Sequence, residues 1–162
     1  MDRVVVTIIG VTIIVLGGAI WLGNRTAKPS VTTATDDPNR PIATVSETVF
    51  EFGTMSVSEE RERTVTITNT GQSDLTVGPA STSCDCTFAR ITMPNGNQSP
   101  DFSMHGKSGW SAELSAGEQA NVTVIYKPSI MPVQGHVERS VLIQTNDPVS
   151  PSIQLSFTAE VE

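Results

Sequence analysis

Arg63-Thr64-Val65-Thr66-Ile67-Thr68 alternates without a break: valine and isoleucine fall on one side of an extended chain and the threonines on the other. A period of two marks a strand with one buried face. Asn69-Thr70-Gly71 closes it with residues that accept the positive φ of a turn. Working outward, the same mark recurs. Leu75 to Thr82 reads as a strand, and so does Ala120 to Lys127 through Val122, Val124 and Tyr126. Val137 to Ile143 follows, ended by Asn146-Asp147-Pro148, and Ile153, Leu155, Phe157, Ala159 and Val161 share one face of a last strand. Upstream, Ile42 to Met55 opens the series with Val45, Val49, Phe50 and Phe52 and turns at Gly53. No amphipathic helix of useful length lies between these segments, which disfavours a parallel α/β fold. The expectation is an all-β, immunoglobulin-like sandwich of about seven strands over residues 42–162.

The chain before it has a different composition. Val4 to Leu22 carries no charge, and Thr7 and Thr12 are its only polar side chains. As a helix it would reach roughly 28 Å, close to the ~30 Å hydrocarbon core of a bilayer. Its end, Ala19-Ile20-Trp21-Leu22-Gly23, lacks a small-residue cleavage pattern, no lipoprotein cysteine follows, and Trp21 suits the membrane interface. Residues 1–25 are therefore expected to be an uncleaved single-pass anchor, contacting the membrane through residues 4–22. Residues 26–41, with Pro29, Pro38, Pro41 and four threonines, have little to bury and read as a flexible linker. Past Lys28 there are 7 basic and 16 acidic residues, a net charge of −9. An acidic domain argues against binding a phosphate backbone, so no nucleic-acid partner is expected. The acidic, Thr/Ser-rich composition favours a cytoplasmic N-terminus and an extracytoplasmic C-terminal domain.

Thr82-Ser83-Cys84-Asp85-Cys86-Thr87 holds both cysteines. On a regular strand, positions i and i+2 put two Cα atoms roughly 6.5–7 Å apart. Disulfides prefer about 5.5–6 Å, so a bond here requires the strand to bend or bulge. Three uses of the pair stand: two buried structural thiols, a redox-labile disulfide, or a soft-metal site for copper or zinc at Cys84 and Cys86. Met93, Met104, His105, Met131 or His136 are the residues able to complete such a site.

Met93 to Glu113 breaks the strand rhythm with Pro, Gly, Ser and Asn. Loops this long in compact domains are often functional. Phe102, Met104, His105 and Trp110 are its candidate interaction residues, unless they fold back to cover a sheet edge. No nucleophile elbow, P-loop, dinucleotide fingerprint or zinc-protease motif is present. Asn146-Asp147 could ligate calcium, but turn formation accounts for it with less. The expectation is a protein that is not an enzyme and has no resident cofactor.

Six short motifs in order carry a resemblance: Phe50-Glu51-Phe52-Gly53, Thr68-Asn69-Thr70-Gly71, Ser83-Cys84-Asp85-Cys86-Thr87, Leu114-Ser115-Ala116-Gly117-Glu118, Tyr126-Lys127-Pro128 and Thr145-Asn146-Asp147-Pro148. Together they resemble the bacterial family called domain of unknown function 1573, over about residues 43–161. The resemblance implies an immunoglobulin-like sandwich, an envelope location for many members, and no established activity. Asp85 stands where that family commonly has Gly, and the Met93 to Glu113 loop looks like an insertion. The expected function is a membrane-anchored, extracytoplasmic, noncatalytic module that binds envelope proteins or its own copies through sheet edges and loops. The alternative is a thiol-redox or metal-handling domain centred on Cys84 and Cys86.

Overall fold

The computed structural model describes Thr12 and residues 35–162, except Lys107. The chain divides into two units, Met1–Val31 and Thr32–Glu162. The expected anchor, Thr12 aside, and the first part of the expected linker lie outside the described residues. Among the described residues no helix is long and apolar enough to cross a membrane.

Among the described residues of the second unit there are nine strands: β1 (Ala43–Val45), β2 (Val49–Met55), β3 (Arg61–Asn69), β4 (Leu75–Thr82), β5 (Thr87–Thr92), β6 (Ala112–Leu114), β7 (Gln119–Tyr126), β8 (Gly135–Thr145) and β9 (Ser152–Val161). They make two sheets, ordered β1-β3-β7-β5 and β2-β9-β8-β4-β6. The sandwich is as expected, with more strands than the seven anticipated. Ile42 to Met55 is not one strand but two. The chain leaves the first sheet after β1 and crosses to the second, where β2 runs parallel to β9, Phe50 opposite Phe157. β5 escapes notice in the sequence because its inward positions include the small Thr87 and Ala89 beside Ile91.

Alternation then does what it promised. Val65, Ile67, Ile91, Val122 and Val124 of one sheet and Leu75, Val77, Val141, Ile143 and Leu155 of the other are buried. Each such side chain contributes about 1.5–3 kcal/mol on leaving water. Phe50, Phe52, Tyr126 and Phe157 form an aromatic cluster with centroid separations of 4.9–6.4 Å.

Asn69 corrects the sequence expectation. Neither it nor Gly71 has a positive φ. Asn69 is the buried last residue of β3. Its Nδ2 donates to the carbonyls of Ser73 (2.8 Å) and Leu114 (2.9 Å). Its Oδ1 accepts from the Gly71 (3.0 Å) and Ile42 (3.4 Å) amides. One amide thus ties β3, the start of β1, the β3–β4 turn and β6 of the opposite sheet. Gly71 is needed for space: a Cβ there would fall 2.3 Å from the Arg40 carbonyl oxygen and 2.5 Å from the Ile42 nitrogen. Beside this cluster the buried Asp147 accepts from Arg40 Nη1 (2.6 Å), the Ala43 amide (3.1 Å) and the Val149 amide (3.0 Å). The end of the expected linker is therefore tied down, with Pro41 buried and Arg40 ion-paired. Asn146 bonds to Thr76 and Asp74, so the Asn146-Asp147 pair serves the turn.

Replacing Asn69 by Ala removes one side chain and leaves several buried backbone groups unpaired. We expect a loss of about 2–4 kcal/mol in urea unfolding, against less than about 0.5 for exposed Asn121→Ala. Tyr126 is wholly buried and its hydroxyl has no hydrogen-bond partner among the described residues. Burial raises its pKa above the ordinary 10.0. A raised folded-state pKa gives stability that is complete below the unfolded value and lost as pH climbs through the folded one. Tyr126→Phe should hold the neutral-pH stability within about 1 kcal/mol and blunt the loss above pH 10, read by unfolding at pH 8 and pH 11.

Candidate functional site

Between Thr82, where β4 ends, and Thr87, where β5 begins, the chain passes from one sheet to the other. The cysteines sit on this connection and not on a strand. Their Cα atoms are 5.2 Å apart and their sulfurs are joined, within the range disulfides use. The turn comes from backbone bonding. The Thr87 amide donates to the Cys84 carbonyl (3.1 Å) and the Cys86 amide points at Cys84 Sγ (3.0 Å). Thr82 Oγ1 also donates to the Cys84 carbonyl (2.9 Å). On either flank, Ser83 pairs with Ser140 of β8, and the Lys127 amide donates to the Cys86 carbonyl (2.8 Å). Cys84 and Cys86 are both buried.

Met131 lies over this turn, its Sδ 3.8 Å from Cys84 Sγ, with the side chain half in solvent. It follows a 3-10 turn, Pro128–Ile130, in a short stretch where Ile130 and Val133 are also exposed. From the other side, His105 Nδ1 stands 2.9 Å from both carboxylate oxygens of Asp85, the residue between the cysteines. Of the five residues proposed to complete a metal site, Met131 touches a cysteine and His105 reaches the residue between them. Met104 is exposed beside His105 in the same loop. Met93 is buried beyond the opposite end of β5. His136 is on β8, 3.6 Å from Glu160. Among the described residues no three His, Cys, Asp or Glu side chains group so as to hold a metal. The joined sulfurs offer no thiolate, so a metal at Cys84 and Cys86 requires the bond to be reduced first.

The Met93 to Glu113 loop is less irregular than its composition implies. Residues 93–102 fold back along β5: Ala89 and Phe102 exchange two backbone hydrogen bonds, and Ser99 pairs with Ile91. The Arg90 guanidinium grips Asp101 through two contacts of 2.7 and 2.8 Å, and that carboxylate raises the Arg90 pKa. Phe102 is wholly buried and packs edge-on against half-buried Trp110. Trp110 lies against Gly78, where φ is +98° and a Cβ would meet the Trp110 carbonyl oxygen at 2.9 Å. Of the four candidate interaction residues, Phe102 is unavailable to a partner and Trp110 is half covered, while Met104 and His105 face solvent.

The strand edges are unequal, which the sequence alone does not reveal. The loop closes β5, and the edge strands β1 and β6 have three residues each. Among the described residues β2 has seven and its sole strand partner is β9; it bulges between Glu51 and Gly53, and its Phe52 carbonyl accepts from Arg61 Nη1. The Thr48 carbonyl accepts from the Ser156 amide. By strand alternation the amides of Val49 and Glu51 then point away from β9. Val49 is 70% exposed.

An all-β sandwich of two such sheets is an immunoglobulin-like domain. The chain belongs to the HYDIN/CFA65/VesB-like Ig-like domain family, whose profile matches residues 41–160. Among solved structures it is similar to a protein of unknown function from Porphyromonas gingivalis W83, 16% identical, with a TM-score of 0.57 over 76% of this chain and 49% of that one. It thus spans about half the length of that protein. It is also similar to the ASH/PapD-like domain 7 of human CEP192, 13% identical, with a TM-score of 0.52 over 84% of this chain and 92% of that one. At these identities the likeness is one of fold. No curated protein sequence matches the chain.

A disulfide closing three residues restrains little of the unfolded chain: about 1.6 kcal/mol on the loop-entropy relation, against about 3 for a 15-residue loop. Reducing Cys84–Cys86 should therefore lower the unfolding free energy by no more than about 2 kcal/mol, measured in urea with and without a phosphine reductant. Mass spectrometry after alkylation should show no label before reduction and two afterwards.

Proposed function

We propose that the chain is a membrane-tethered, extracytoplasmic, noncatalytic interaction module, and that the resemblance to the domain of unknown function 1573 reflects a shared bacterial envelope role. The observation that carries the binding role is the open stretch of the β2 edge at Val49 and Glu51, ahead of the bulge between Glu51 and Gly53 and of the Phe52 carbonyl that Arg61 Nη1 occupies. An open edge recruits an extended segment by main-chain hydrogen bonding, with alternate side chains setting specificity. The other edges are shortened or lidded, so β2 is the place where a strand adds at least cost. The occupant is an envelope protein or a second copy of this chain. The tether is residues 4–22, with the N-terminus cytoplasmic, and the net charge of −9 past Lys28 favours a protein partner over nucleic acid. A Cys84–Cys86 bond fits an oxidising compartment outside the cytoplasm.

The test is photo-crosslinking in native membranes with the full chain. A photoreactive amino acid at Val49 should give a discrete adduct, whereas the same probe at Val149, also exposed, should give none. Val49→Lys should reduce an adduct formed through a probe at Glu51 by about tenfold. Equal labelling from Val49 and Val149, or an adduct indifferent to the lysine, would remove β2 as the binding edge.

A further inference from the structure

We propose that, once reduced, Cys84 and Cys86 form with Met131 a three-sulfur site for monovalent copper. Distance is the first argument. With metal–thiolate bonds of about 2.3 Å, three sulfurs in a trigonal plane stand about 4 Å apart. Met131 Sδ is already 3.8 Å from Cys84 Sγ, and the cysteine Cα atoms are 5.2 Å apart. Parting the two cysteine sulfurs to that spacing needs side-chain rotation and no movement of strands. Both cysteines lie on one turn held at each flank by backbone bonds, from Ser83 to Ser140 and from Lys127 to Cys86.

Chemistry selects the ion. Two thiolates and a thioether form a soft set that suits Cu(I). Zinc wants four nitrogen, sulfur or carboxylate ligands, and a thioether is a poor one. Among the described residues no third His, Cys, Asp or Glu joins the pair. His105 is held on the Asp85 carboxylate, at the rim of the turn.

Access runs through Met131. Cys84 is buried beneath it, and Met131 is 49% exposed with an unbranched, flexible side chain. Swinging Met131 aside frees the Cys84 sulfur it touches, and swinging it back places the third ligand. The reaction balances in two steps. A dithiol donor passes two electrons and two protons to the Cys84–Cys86 bond, giving two thiols and the donor's own disulfide. Cu(I) then displaces two protons as the thiols bind it as thiolates, so uptake strengthens as pH rises. The site is closed in an oxidising setting and opened by a thiol reductant.

The experiment uses the full chain in detergent, reduced with a phosphine and kept anaerobic, with Cu(I) supplied as its bicinchoninate complex. One equivalent of copper should move from the dye to the reduced chain and none to the oxidised chain. Met131→Leu should weaken uptake by at least about tenfold, the smaller loss seen when a group supporting a metal site is removed. Met104→Leu should not change it. Cys84→Ser with Cys86→Ser should abolish uptake. Should that variant fail to fold, wild-type chain alkylated after reduction serves in its place. No transfer to the reduced chain, transfer indifferent to Met131→Leu, or equal retention of Zn(II) would each overturn the assignment.

Discussion

A single carboxamide holds one end of this sandwich together. Asn69 is buried where β3 ends, and its side chain reaches the chain on its way into β1, the turn beyond β3 and the carbonyl of Leu114 on the opposite sheet. Apolar contacts between sheets are not directional and would tolerate sliding. Hydrogen bonds to a buried amide do not, because each one broken leaves a desolvated polar group. Asp147 repeats the device on the next residue of the entering chain, with Arg40, Ala43 and Val149. The closeness of Gly71 to the Arg40 carbonyl belongs to the same tight junction. Register at this end fixes the relation of the sheets, and the rest of the core packs on that frame.

The opposite end is built differently. The turn with Cys84 and Cys86 is secured by backbone bonds, while the side chains around it, Met104, His105, Ile130, Met131 and Val133, are left in solvent. Their freedom does not loosen the fold, since the strands below are already paired. Rigidity gathers where the chain enters the domain, and adaptable, chemically soft groups gather at the far end.

Much of the sandwich was legible as alternation, since a half-buried strand must write its two faces into the sequence. Val65 and Ile67 against Thr64 and Thr66 need no other evidence. The exceptions have physical causes. β5 was hidden because two of its inward positions are Thr87 and Ala89, residues without an apolar signature. The break between β1 and β2 was hidden because a crossing between sheets keeps the chain extended. Asn69 looked like a turn former, because a buried carboxamide and a turn carboxamide have the same letter; only the neighbours brought by the fold distinguish them. At the site, spacing alone left the cysteines on a strand, too far apart to bond with ease. What shortened that distance was a hydrogen bond from Thr87 to Cys84, invisible in the spacing. The choice of Met131 over Met93 or His136 required the tertiary fold, since Met131 is 47 residues from Cys84 in sequence yet touches it, while Met93 falls beyond the far end of β5 and His136 stands beside Glu160 on β8.

The parallel course of β2 beside β9 has a mechanical meaning. The chain enters at the Asn69 end, and β2 and β9 both run from there toward the end that carries the cysteine turn. If the domain is held at its entry and pulled at its far end, the force lies along these strands. Hydrogen bonds between strands loaded lengthwise share the force and must yield together, whereas bonds at the mouth of a hairpin open one after another. Such a domain resists stretching along its long axis far better than peeling from the side. It would behave as a stiff strut between an attachment and whatever it grips.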